Sequence, residues 1–178
     1  MENLKCLSLI CNILIVVATI SMSIGQCRVL QPNDANLVAE TCKKTPYPSA
    51  CLQFLQGNPR SSSADITGLA MIMVDVIKVK TNGVLNKINQ LLKGGGDKQA
   101  LNSCLSKYNA VLNADIPQAV EALKTGNPKF AESGVADASL EANFCEKGFS
   151  AGKSPLTNEN NDMHTAAEVA RAIVRNLL

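Results

Sequence analysis

Apolar residues recur every three to four positions along most of the chain, and this spacing predicts helices. No stretch alternates apolar and polar residues for long enough to form a convincing strand. We therefore predict an all-α protein. Two short helices are expected at 34–44 and 47–57, and the turn at 45–48 between them makes a helical hairpin over 34–57.

Four longer helices follow the hairpin. They are predicted at about 64–92, 97–124, 127–149 and 155–178. The glycine run at 94–96 ends the first, and Pro117 is expected to kink the second. Asn127 begins the third as an N-cap residue, with Pro128 at the first helical position. Because short loops join these helices, they should pack as an up-down-up-down four-helix bundle over 64–178, with the hairpin as an N-terminal appendage.

The first 25 residues have the features of a secretory signal peptide. Lys5 gives a basic start, 7–20 form an apolar run, and 23–25 supply small residues before a cleavage point. A membrane anchor is disfavoured, because polar residues interrupt the run and no other segment approaches the length of a span. We predict a secreted protein with a domain over 26–178 and no membrane contact after cleavage.

Four of the seven cysteines are expected to form two disulfides, since secretion exposes them to an oxidising compartment. Cys42 and Cys51 are equally distant from the turn at 45–48, so antiparallel helices bring them to the same height. The same reasoning pairs Cys104 with Cys145 across the turn at 125–126.

The other three cysteines are not assigned a partner. Cys6 and Cys11 leave with the signal peptide. Cys27 is either unpaired in the mature chain or removed by a second cleavage point just after it.

The composition and the motifs exclude several function classes. With 17 Lys and Arg against 15 Asp and Glu, the charge is near +2, so the chain is not a nucleic-acid-binding polycation. Two Tyr, four Phe and no Trp are too few for most base-stacking or sugar-binding platforms. His164 is the only histidine, and the spacings of zinc sites, phosphate loops and serine hydrolases are absent. We expect no catalytic residues, no metal and no cofactor.

One position in the third long helix departs from the buried face. The buried face is defined by an apolar stripe of Ala131, Val135, Ala138, Ala142, Cys145 and Phe149. Phe130 lies about 100° from the centre of that stripe, directly beside Lys129 at the helix start. An exposed Phe next to a Lys on a fixed corner is typical of a recognition tip. The alternative is that Phe130 packs on a neighbouring loop or joins Leu140 and Phe144, and the pattern leaves both open.

Taken together, these residues resemble the plant invertase and pectin methylesterase inhibitor family. The leader, the C-x8-C spacing in the hairpin, the distant second cysteine pair and the four-helix bundle carry the resemblance, which covers about 36–178. The stretches that resemble the invertase-inhibitor branch are 72–75, 119–124, 128–132 and 171–178. The triplet Pro128, Lys129 and Phe130 separates that branch from the pectin methylesterase inhibitors, whereas the Asn-rich 157–162 departs from the family pattern.

The resemblance implies a secreted inhibitor of plant acid invertase, a β-fructofuranosidase, rather than an enzyme. Pro128, Lys129 and Phe130 would enter the sucrose cleft in a 1:1 complex and block sucrose hydrolysis. The expected location is the cell wall, or the vacuole. Because both branches share the cysteine framework, a pectin methylesterase inhibitor is the alternative. From other classes, a small enzyme and an apolar-ligand carrier with a gap in its core stay open.

Overall fold

A computed structural model describes residues 32–150 and 154–178 of the chain. The predicted signal peptide and Cys27 lie outside the described residues. Every regular element among those described is helical, which confirms the all-α prediction. The α-helices are α1 (Pro32–Lys43), α2 (Pro48–Gln56), α3 (Ile66–Lys93), α4 (Lys98–Ala110), α5 (Ile116–Lys124), α6 (Pro128–Lys147) and α7 (Thr157–Arg175).

Helices α1 and α2 form the predicted hairpin, and the other helices form a four-helix bundle whose second member is divided into α4 and α5. Side-chain contacts at the two ends of α6 show that it runs antiparallel to α7. Near the start of α6, Glu132 pairs with Arg175 at the end of α7. Near the end of α6, Glu146 accepts a hydrogen bond from Thr157 at the start of α7.

Two disulfides join the helices, with the pairing predicted from the sequence. Cys42–Cys51 closes the hairpin, with its Cα atoms 5.4 Å apart. Cys104–Cys145 ties α4 to α6, with its Cα atoms 4.7 Å apart. The four half-cystines are buried, so both bridges lie inside the apolar core.

The long helix predicted at 97–124 is interrupted. Helix α4 ends at Ala110, a π-helical turn covers Val111–Asp115, and α5 begins at Ile116. Pro117 has no N–H, and in a regular helix its ring would clash with the carbonyl four residues earlier. The chain therefore widens just before the proline, which is a common use of a π turn. The kink expected at Pro117 is thus a wide turn upstream of it.

Several helix ends differ from the predicted ones by a few residues. Helix α3 begins only at Ile66, because the Asp65 carboxylate accepts a hydrogen bond from the Gly68 N–H at 2.7 Å and caps the helix. Helix α6 ends before Phe149, so the last residue of the predicted stripe lies beyond the helix. Helix α7 begins at Thr157 rather than at 155.

The core lies between the bundle helices and takes the predicted face of α6. The buried apolar residues of that face are Ala131, Val135, Ala138, Ala142 and Cys145. Small side chains dominate this face, which lets α6 approach its neighbours closely. Within 32–150 and 154–178, the helices are too short or too polar to cross a membrane.

Candidate binding tip at the start of helix α6

The predicted triplet lies at a sharp corner between α5 and α6. Gly126 in the turn adopts a φ of +71°, a conformation that favours glycine, and Pro128 then starts the helix. Lys129 is exposed, and Phe130 is 60% exposed. Phe130 therefore does not pack into a loop. Phe144 is 14 residues further along α6, about 21 Å away at 1.5 Å per residue, so the two rings do not form a cluster.

Backbone groups hold the corner in place. The Asn127 N–H donates to the Ala122 carbonyl at 2.7 Å, and the Asn127 carbonyl accepts from the N–H groups of Phe130 and Ala131 at 3.1 and 3.3 Å. Gln118 on α5 donates through its amide Nε2 to the Phe130 carbonyl at 3.2 Å. The corner is thus fixed without any bond from the side chains of the triplet, and these remain available to a partner.

The predicted role of Asn127 needs one correction. Asn127 occupies the N-cap position, but its side chain makes no capping hydrogen bond. Its φ of −113° and ψ of 65° differ from the extended backbone in which a cap side chain usually folds back onto the first turn. The carbonyl of Asn127 holds the first turn instead.

One turn beyond the triplet, α6 is braced against α5 by a close backbone approach. A Cβ added at Gly134 would lie 2.6 Å from the Asp115 carbonyl oxygen and 3.2 Å from the Ala119 nitrogen. Only glycine fits such a contact without moving a helix. Because the contact involves backbone on both sides, it sets the position of the tip relative to α5.

On the opposite side, two arginines brace α6 against α7. Glu132 accepts hydrogen bonds from the Nε atoms of Arg171 at 3.2 Å and Arg175 at 2.6 Å. Burial raises the pKa of the Glu132 carboxyl, but the hydrogen bonds and charges of Arg175 and Arg171 outweigh it, so the pKa is lowered. Glu132 is therefore a carboxylate that holds α7 against α6 one turn from the tip.

The π turn brings the carboxyl group of Asp115 near Asp137 and Glu141 on α6. One oxygen of Asp115 is buried and has no hydrogen-bond partner. Burial, and then the negative charges of Asp137 and Glu141, raise the pKa of Asp115 to about 6. The four-residue spacing of Asp137 and Glu141 places them on one face of α6. It does not reveal Asp115, because its position depends on how α5 packs on α6.

His164 is not part of the tip. It lies in α7, where its Nδ1 is 2.8 Å from the Ser139 Oγ and 3.3 Å from the Asn143 Nδ2. The Tyr47 ring meets the imidazole edge-on at a centroid distance of 6.4 Å. These contacts join the hairpin turn to α6 and α7, so His164 has structural partners in the middle of the bundle.

Two features of the described residues concern metal binding and the space in the core. Among them, no three His, Cys, Asp or Glu side chains converge as metal ligands would. The small-residue gap between α3, α5 and α6, beside Gly134 and Ala138, is too small to admit a water molecule. An apolar ligand therefore finds no room in the small-residue region where a carrier would hold it.

Comparison with known proteins identifies the family. Residues 36–173 match the family model described as plant invertase/pectin methylesterase inhibitor. The chain belongs to this family. Family members are inhibitors of enzymes, which confirms the prediction that the chain is an inhibitor and not an enzyme.

Individual relatives come from both branches. Over 142 residues, the chain is 44% identical to the cell wall / vacuolar inhibitor of fructosidase 1 of Arabidopsis thaliana, covering 79% of this chain and 69% of that protein. It is 29% identical over 145 residues to a pectinesterase inhibitor of Actinidia deliciosa, covering 80% and 77%. A crystal structure of a mutant pectin methylesterase inhibitor from Arabidopsis has a TM-score of 0.66 at 24% identity, over 75% of this chain and 92% of that one. This structural likeness confirms the fold.

Proposed function

We propose that this protein is a secreted inhibitor of a plant acid invertase and that it blocks sucrose hydrolysis by inserting Pro128, Lys129 and Phe130 into the sucrose-binding cleft. The observation that carries the proposal is the exposed Phe130 beside Lys129 on a corner held by backbone hydrogen bonds. The 44% identity to an Arabidopsis inhibitor of fructosidase supports the choice of target. That relative's name also supports the cell wall or the vacuole as the site of action.

The chemistry of the triplet suits a cleft built for sugar hydrolysis. Glycosidases flank the scissile bond with a pair of carboxyl groups, and the Lys129 ammonium is a cation that such a pair attracts. Among the described residues, Lys129 forms no ion pair within the protein, so its charge is not already neutralised. Phe130 contributes apolar area next to it.

The fixed corner reduces the cost of binding. Ordering a loop or a side chain on association opposes binding, and a corner already held in one conformation avoids much of that cost. Because one corner fits one cleft, we propose a 1:1 complex.

A pectin methylesterase inhibitor is the second candidate. The 29% identity to an Actinidia pectinesterase inhibitor supports it. In that case a face of the bundle would bind the enzyme, and the triplet would contribute little to affinity. The two candidates therefore differ both in target and in sensitivity to substitutions at the tip.

Parallel inhibition assays on purified acid invertase and purified pectin methylesterase test the proposal. Wild-type protein is compared with Lys129→Ala and Phe130→Ala, and with Lys78→Ala, an exposed lysine on α3, as the control. Truncating a hot-spot side chain commonly costs 2 kcal/mol or more, so each tip variant should weaken inhibition of invertase by about thirtyfold or more. Inhibition of pectin methylesterase alone would overturn the proposal. If the tip variants inhibit invertase as strongly as Lys78→Ala, the triplet does not contribute to binding, and that part of the proposal is wrong.

A further inference from the structure

Three of the large exposed apolar side chains belong to helix α6. The large apolar side chains exposed among the described residues are Tyr47, Val79, Phe130, Leu140, Phe144 and Leu178. Phe130, Leu140 and Phe144 all belong to α6 and, at 100° per residue, point within about 80° of one another. Tyr47 projects from the hairpin turn next to Leu140. Within this row of Phe130, Leu140 and Phe144, the last two are one turn apart and with Tyr47 form an exposed apolar patch of the kind that marks an interaction surface. Phe130 and Val79 are single exposed residues.

A recess lies beside the far end of this row. Its volume is about 490 Å³, and its walls include Pro46 and Tyr47 on the hairpin turn, Leu140 and Asn143 on α6, and His164 on α7. The contacts of His164 with Asn143 and Tyr47 hold two of these walls in place. The remaining walls include Ser139, Glu168 and Arg171, so the rim is part apolar and part polar. The recess is a fixed depression with room for a side chain of a partner.

The tip is too small to form a stable interface by itself. A stable protein complex buries about 800 Å² on each partner, whereas an aromatic side chain contributes about 150–250 Å². Three residues therefore provide much less than the area needed. Leu140 and Phe144 lie about 15 and 21 Å from Phe130 along α6, within reach of one partner surface.

The charged residues on this side suit the same partner. Lys129 precedes Phe130 at one end of the row, and the exposed Asp137 lies between Phe130 and Phe144. Among the described residues, Asp137 makes no ion pair within the protein. A partner that meets Lys129 with carboxylates would therefore meet Asp137 with a cation or a hydroxyl group.

We infer that Tyr47, Leu140 and Phe144 form a second contact surface for the enzyme whose cleft receives the tip. This surface packs against the outer wall of the cleft, and a side chain of the enzyme enters the recess. The inference rests on the proposed function, because the tip fixes the enzyme relative to α6. It adds a site that determines affinity but lies outside the sucrose cleft.

Polar substitutions that keep the helix test the inference. Leu140→Gln and Phe144→Gln should each raise the inhibition constant for acid invertase by about tenfold. Val79→Gln on α3, where the side chain is 72% exposed, is the matched control and should leave inhibition unchanged. Because all three side chains are exposed, thermal unfolding should show little change for any of them. The solution mass of the wild-type protein is measured beside these variants.

The outcomes separate this inference from the proposed function. If Phe130→Ala weakens inhibition while Leu140→Gln and Phe144→Gln match Val79→Gln, the second contact is wrong and the tip stands. If Phe130→Ala and both Gln variants leave inhibition of invertase unchanged, both the second contact and the tip are wrong. The protein would then inhibit invertase through another surface. A wild-type dimer that Phe144→Gln converts to a monomer of equal inhibitory strength would assign the surface to a second copy of this chain and overturn the inference.

Discussion

The two ends of helix α6 are held by different kinds of bond. At the end of the helix, Cys145 is joined covalently to α4, and both oxygens of Glu146 accept hydrogen bonds, from Thr157 and Asn160 at 2.6 Å each. At the start, backbone groups and the Gln118 amide hold the chain to α5. Side chains therefore fix the end of the helix. At its start, the backbone holds the corner that carries the tip, and the side chain of Glu132 binds Arg171 and Arg175 just beyond it.

The side chains at the end of α6 belong to a buried polar network. The Tyr108 hydroxyl donates to the Asn160 Oδ1 at 2.7 Å, and Asn160 is only 2% exposed. Burial raises the pKa of Glu146, but hydrogen bonds from Thr157, Asn160 and Ser154 outweigh it, so the pKa is lowered. Burial, and then the charges of Glu159 and Glu146, raise the pKa of Tyr108, which keeps the phenol a hydrogen-bond donor.

This difference explains how a small bundle can present a recognition tip. A side chain that is buried or hydrogen-bonded for stability is not available to a partner. At the tip the backbone holds the conformation, so Lys129 and Phe130 are free to contact another molecule. Substitutions of the buried or hydrogen-bonded side chains at the end of α6, its pinned end, should therefore change stability and leave inhibition intact. Substitutions of Lys129 and Phe130 should do the reverse.

The largest expected effect comes from removing the disulfide at the pinned end. The double variant Cys104→Ser, Cys145→Ser loses a bridge with a sequence separation of 41 residues. On the chain-entropy model this lowers the free energy of unfolding by about 4 kcal/mol. Urea denaturation measures the loss, and protein that remains folded should still inhibit.

The hairpin disulfide provides the matched control for this prediction. Cys42–Cys51 has a separation of 9 residues, so the corresponding double serine variant should lose about 3 kcal/mol. A folded Cys104→Ser, Cys145→Ser protein that has lost inhibition would show that the bridge also positions the tip, and the two ends of α6 would not be independent.

The next largest effect is expected in the polar network. Tyr108→Phe leaves the buried Asn160 Oδ1 without its donor, which should cost about 1–2 kcal/mol of stability. Tyr47→Phe, at the surface, should cost close to nothing. Chemical unfolding of both variants checks the difference. Equal stabilities would mean that water replaces the phenol and that the network does not pin the helix.

A smaller effect, with a defined pH dependence, is expected at Asp115. Its pKa is about 6 in the folded protein against 3.8 for an ordinary aspartate. The neutral Asp115 carboxyl makes its full contribution to the free energy of unfolding below pH 3.8, and this contribution is lost as the pH rises through 6. Asp115→Asn should therefore be more stable than wild type at pH 7 by about 1 kcal/mol, less than the full shift implies because the carboxyl is partly solvated.

The pH series has an internal check. The advantage of Asp115→Asn should shrink as the pH falls below 6 and disappear by about pH 3, where both states of wild type hold the proton. Asp137→Asn removes only one of the neighbouring charges and should give a smaller gain. An advantage that is constant from pH 4 to pH 7 would show that packing, rather than the charge on Asp115, is responsible.

Features set by local spacing could be predicted from the sequence, whereas features set by contacts between helices could not. The disulfide pairing depends on distances along the chain from a turn, so it follows from spacing. The angle of Phe130 to the apolar stripe places it off the buried face, but the pattern leaves packing on a loop or with Leu140 and Phe144 open, and only the structure shows the exposure. The contact of Gly134 with Asp115 depends on how closely two helices approach, which no local pattern records. The Asn-rich start of α7 is unusual by itself, but Asn160 is explained by its bond to Tyr108 on another helix.

The smallest expected effect is on the stability of the tip variants, and it completes the comparison. Phe130→Ala should change the free energy of unfolding by less than about 0.5 kcal/mol, because the ring is mostly exposed and the backbone bonds of the corner are kept. A buried Phe cut to Ala would cost about 3–5 kcal/mol. Leu101→Ala, at a fully buried position of α4, is the positive control and should cost about 2–5 kcal/mol. If Phe130→Ala melts as low as Leu101→Ala, the ring packs into the bundle in solution, and a loss of inhibition in that variant would reflect a damaged corner rather than a missing contact.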